Sequence, residues 1–98
     1  MQKFENAKLY NIDQLIENAW KGEDLEASLY DFLHLVQDDE ISVDYSHSLT
    51  SVTMLMALCA LGDASKVEQA LDMGANVYYR SSNGYTARDW AIAFAHFD

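Results

Sequence analysis

Residues 51–80 read SVTMLMALCALGDASKVEQALDMGANVYYR, and the fold turns on how that stretch is punctuated. Thr53 leads into an apolar run, Gly62 interrupts it, Val67 to Leu71 resumes it, and Gly74-Ala75-Asn76-Val77 closes it. The cycle opens again at Asn83-Gly84-Tyr85-Thr86-Ala87, so Thr53 and Thr86 stand 33 positions apart. A fixed period of that length is the mark of a repeat, and it has to be read before any single element.

Working outward, the apolar spacing predicts helices on both sides. Within 51–80, one helix is expected from about Val52 to Ala60 and another from Ala64 to Met73, with Val67, Ala70 and Leu71 inward. A last helix starts near Tyr85 and carries Trp90, Ala91 and Phe94. Upstream, Ile12, Leu15, Ile16, Ala19 and Trp20 form a one-sided stripe over Asn11 to Lys21, with Asn11 as its cap and Lys21-Gly22 as its stop. Leu25, Leu29, Phe32, Leu33 and Val36 mark a second helix, Glu23 to Val36, with Glu23, Asp24 and Glu26 at its positive end. So short a break predicts an antiparallel hairpin. Ile41 to Tyr45 alternates as an extended segment does, and Val77-Tyr78-Tyr79 reads as extended too.

These residues resemble the ankyrin repeat, a helix–turn–helix–loop unit. Thr53-Met54-Leu55-Met56 stands where that family usually has Thr-Pro-Leu-His. Gly62-Asp63 matches the inter-helix glycine, Gly74-Ala75-Asn76-Val77 the following loop, and Asn83 to Ala87 the opening of a further repeat. The pattern covers residues 51–96 and departs from the family at Met54, Met56 and Ala87. Val43 to Thr53 spans ten positions where Val77 to Thr86 spans nine. The resemblance implies an all-α, short ankyrin-like helical solenoid forming a single domain over 1–98. Its parts are a divergent N-terminal hairpin and loop over 11–44, a full repeat over 45–80 and a truncated repeat over 81–98.

Composition sets the limits. Half of the 98 residues are hydrophobic, proline is absent and glycine occurs four times, which favours helices with short links. A single Cys59 forms no internal disulfide and makes no zinc cluster. The first ten residues lack a signal peptide's apolar core and no stretch reads as a membrane span, so the cytoplasm is the expected compartment. The net charge is −10, and eleven of sixteen acids but three of six bases lie in residues 1–44. That field repels nucleic acid and anionic membranes and speeds encounter with a basic protein.

Nothing in the sequence supplies a catalytic constellation. His34, His47 and His96 are too scattered for a metal site, and Cys59 has no neighbouring base. Asp38, Asp39 and Glu40 lack the glycine-spaced calcium loop. No enzyme and no cofactor are therefore expected. Binding is the better expectation. On the ankyrin resemblance, partners would meet the loop tips and first-helix faces: Tyr45, Leu49, Thr50, Val52, Leu61, Tyr79, Arg80, Ser82, Asn83, Tyr85 and Phe94. Asp38, Asp39, Glu40 and Asp44 add an anionic border. The sharpest expectation is a small inhibitor, an immunity protein neutralising a basic toxin such as a nuclease. An adaptor for a peptide or neutral surface is the alternative, and a homodimer burying its C-terminal helix face is a third.

Overall fold

The computed structural model describes residues 2–93, with side chains from residue 12 onward. Among the described residues five helices follow one another: α1 (Gln2–Lys21), α2 (Leu25–Gln37), α3 (Met54–Leu61), α4 (Ala64–Asp72) and α5 (Ala87–Ala93). Among the described residues no strand forms, only an isolated antiparallel bridge between Ser46 and Thr53. The protein is all-helical, as expected, and no described helix is long and apolar enough to cross a membrane.

α3 is the hub. Its sequence MLMALCAL is apolar on every side, so it must be covered on every side. It packs against α1, α4 and α5, while α2 packs on α1. Met54, Leu55, Met56 and Leu58 are fully buried, joined by Ile16 of α1 and by Leu29 and Phe32 of α2. Burying each such side chain contributes about 1.5–3 kcal/mol, so the centre of the sequence is also the centre of the energetics.

The helix ends repeat. Thr53 and Thr86 each accept a hydrogen bond three residues on, from the N–H of Met56 and of Asp89. At the far ends of α2 and α4 the chain closes in one pattern. Asp39 N–H reaches Val36 O and Glu40 N–H reaches Leu35 O; likewise Gly74 N–H reaches Leu71 O and Ala75 N–H reaches Ala70 O. Both turns need a left-handed residue, which is Asp39 (φ 60°) in one and Gly74 (φ 94°) in the other.

The loops repeat as well, with one difference. Tyr45 N–H bonds Ser42 O while Ser42 Oγ takes the N–H of Asp44; Tyr79 N–H bonds Asn76 O while Asn76 Oδ1 takes the N–H of Tyr78. The segments 41–45 and 77–79 are thus tight turns and not extended, because a Ser or Asn side chain captures a nearby backbone N–H. Further on, His47 N–H bonds Val52 O around a four-residue tip, whereas Ser81 N–H bonds Tyr85 O around three. The extra residue in the 43–53 spacing lies in that tip. The loops then stack: Asp44 accepts from Asn76 N–H (2.7 Å), Tyr79 Oη donates to Ser46 Oγ (3.2 Å) and Ser82 Oγ to Thr50 O (3.0 Å).

Several boundaries correct the expectation. α1 begins at Gln2, so Asn11 lies inside it and caps nothing; Gln, Lys, Glu, Ala and Leu upstream continue a helix without an apolar stripe. α2 begins at Leu25, because Glu23 N–H completes the end of α1 at Asn18 O and Asp24 turns left-handed (φ 47°). Only Glu26 remains in its first turn. Leu71, expected inward, is exposed. α5 starts at Ala87, with Thr86 as its cap.

Candidate functional site

The first tip is clamped onto α1. Asp13 of α1 is buried and accepts hydrogen bonds from Tyr45 Oη (2.8 Å), Ser48 N–H (3.2 Å) and Ser48 Oγ. Burial opposes ionisation of this carboxyl, but the Ser48 hydroxyl, Tyr45 and the Ser48 N–H outweigh it. The pKa of Asp13 therefore falls below the ordinary carboxylate value. The same contact pushes Tyr45 up to about 12, through burial first and then the bond to, and charge of, Asp13.

One helical turn along, Glu17 Oε2 meets His47 Nε2 at 2.7 Å. The other ring nitrogen, Nδ1, accepts from Leu49 N–H at 3.1 Å, which selects the tautomer with the proton on Nε2 and makes His47 the donor to Glu17. His47 is 6% exposed and the Glu17 side chain 43%. The carboxylate is therefore held in place at the edge of solvent by a buried imidazole.

Between these clamps and α5 lies a groove of about 620 Å³. Ile16, Trp20 and Val52 supply apolar lining, joined by Trp90 from α5. Trp20 and Trp90 meet edge to face, centroids 4.9 Å apart at 88°, and Tyr85 packs on Trp90 at 5.1 Å. Thr50, Ser82 and Asn83 from the stacked tips supply polar atoms, and Glu17 and Lys21 its charges. Leu49, at 85% exposure, stands on the rim.

The structure gathers some expected positions and disperses others. Thr50, Val52, Ser82 and Asn83 line the groove, although Val52 is buried in its wall and presents little surface; Tyr85 supports it through Trp90. Asp38, Asp39 and Glu40 form the exposed cap of α2 and do not line it. Asp44 is spent on Asn76, Tyr45 on Asp13, Tyr79 on Ser46, and Arg80 Nη1 donates to the carbonyl of Gly84. Phe94 and His96 lie outside the described residues. The residues not anticipated are Ile16, Glu17, Trp20, Lys21, His47 and Trp90.

The chain matches no protein-family model and no solved structure.

Neither the groove nor its neighbourhood gathers three metal-ligating side chains among the described residues. Cys59 is partly buried, and burial pushes its thiol up, away from the nucleophilic thiolate. What the arrangement offers is a preformed apolar cleft with a few fixed polar groups, the general form of a recognition site.

Proposed function

We propose that this chain is a non-enzymatic, acidic protein-binding module, an ankyrin-like short solenoid that acts as a small inhibitor of a basic partner. The single observation that carries it is the groove: two tryptophans and an exposed leucine on the loop-tip face of a chain with net charge −10. Tryptophan in a pocket is the residue type on which interface energy concentrates. The ankyrin-like build is supported by the loop-to-loop hydrogen bonds at offsets of 32 and 33 residues. Inhibition follows from coverage: an acidic chain is steered onto a basic, nucleic-acid-binding site and its apolar groove occludes it.

The apolar lining favours a second reading, an adaptor that takes a neutral peptide. Capture of a partner at low salt, followed by elution with rising salt, separates the two. Release of a basic protein by salt, and loss of that protein's nuclease activity when the chain is added, supports the inhibitor. A neutral partner that survives salt supports the adaptor. A dimer on sedimentation with nothing captured removes both.

A further inference from the structure

We infer that the groove is a socket for a single arginine side chain presented by a basic partner. The inference rests on the protein-binding reading above and names the chemistry of its anchor. The groove is apolar along Ile16, Val52 and the tryptophans, yet one carboxylate, Glu17, stands in its wall. Oε2 of Glu17 is fixed by His47, and His47 is fixed by Leu49 N–H, so the carboxylate is pre-positioned before any ligand arrives. A purely apolar side chain entering here would strip water from Glu17 and give nothing in return, a costly exchange for a charge. A guanidinium replaces that water with charge-assisted hydrogen bonds to Glu17.

The remaining surfaces suit arginine in particular. Its methylene stem matches the Ile16–Val52 wall, and its planar, weakly hydrated head stacks on indole faces in a way that a lysine ammonium does not. Thr50, Ser82 and Asn83 add polar side chains to the lining. Lys21 is the one opposing charge; it is exposed and sits on the groove's α1 side. The chain's charge of −10 disfavours an anion as the occupant. Lys21 therefore tempers the affinity without setting the sign of the ligand.

The test uses the fact that both tryptophans of the chain, Trp20 and Trp90, line the groove, so tryptophan emission, excited selectively over the tyrosines, reports it. The probe is the peptide acetyl-Leu-Arg-Leu-amide, and its control carries citrulline, the neutral isostere of arginine, in the middle position. The arginine peptide is expected to shift the emission saturably and the citrulline peptide to bind about tenfold or more weakly, the loss of one charge-assisted pair. Glu17→Gln keeps an acceptor for His47 and should erase the difference between the peptides. Lys21→Gln should tighten the arginine peptide. A triple neutralisation at Asp38, Asp39 and Glu40 should leave it unchanged at physiological salt, where charges remote from the groove are screened.

Equal binding of the two peptides overturns the proposal, and this comparison needs no mutant to fold. An arginine preference that survives Glu17→Gln overturns it as well. No fluorescence response to either peptide removes the socket. Salt-sensitive capture of a basic protein would still leave the protein-binding reading standing.

Discussion

Ser51 closes the first loop tip at the station where Gly84 closes the second, and both are left-handed, at φ 62° and 84°. Each is the last residue of its tip and precedes the residue whose carbonyl pairs back, Val52 in one case and Tyr85 in the other. The left-handed region costs a non-glycine residue about 1–2 kcal/mol, while glycine gives back about 0.5–1 kcal/mol in unfolded-chain entropy. Ser51→Gly should therefore stabilise the protein by roughly 0.5 kcal/mol. Urea unfolding checks it, with the m-value unchanged and the midpoint raised.

Asp39 and Gly74 make the same comparison at the ends of α2 and α4. Here a second effect adds to the first, because Asp39 places a negative charge at the negative end of a helix. Asp39→Gly should stabilise by about 1 kcal/mol, combining relief of the backbone and of the charge–dipole repulsion. The gain should shrink as salt is added, whereas that of Ser51→Gly should not. If Asp39 also steers a basic partner, the same variant will bind more slowly while folding better.

These two pairs show what could be read in the sequence. Local devices were legible: Thr53 and Thr86 at the openings of the two units, Gly74 and Gly84 as punctuation, and one residue too many between Val43 and Thr53. Each is read from a short run of chain, where residue type speaks for conformation. The groove was not legible, because Trp20 and Trp90 are 70 positions apart and each reads simply as the apolar face of its helix. Glu17 and His47 meet across 30 positions, and neither has a local motif. The stacking offset was the available signal. Carrying the first tip back by one repeat places it against α1 near residues 13–17, and that is where Asp13 and Glu17 hold it.

The Asp13–Tyr45 contact predicts stability that erodes at both ends of the pH scale. Asp13 has a folded pKa below its unfolded value of about 4, so its contribution is present above that value and is lost as pH falls through the folded pKa. Tyr45 has a folded pKa of about 12 against an ordinary 10.0, so its contribution is present below pH 10 and is lost as pH rises through 12. Tyr45→Phe should cost about 1–2 kcal/mol at neutral pH and remove the alkaline limb from a plot of urea midpoint against pH. Asp13→Asn should cost about 2 kcal/mol and flatten the acid limb. An alkaline limb unchanged in Tyr45→Phe would assign it to another group.

α5 is fixed at its start by its first turn. Thr86 and Asp89 bond reciprocally: Thr86 Oγ1 accepts from Asp89 N–H at 3.3 Å, and Asp89 Oδ2 from Thr86 N–H at 3.0 Å. That pairing satisfies two backbone donors at the start of α5 that would otherwise be left to water. Thr53 caps α3 in the same manner but is itself buried, and its helix is enclosed by three others. The two equivalent substitutions should therefore differ in kind. Thr53→Ala is expected to lower global stability by about 1–2 kcal/mol with no separate local transition. Thr86→Ala should cost about 1 kcal/mol, felt first as fraying of α5. Fraying carries Trp90 away from Trp20, so tryptophan emission should move to the red at urea concentrations where far-ultraviolet dichroism still reports the other helices intact. Hydrogen exchange at residues 87–93 would rise in step. Coincident fluorescence and dichroism transitions in Thr86→Ala would mean that α5 is held by its packing on α3 alone, and that the groove opens only when the whole protein does.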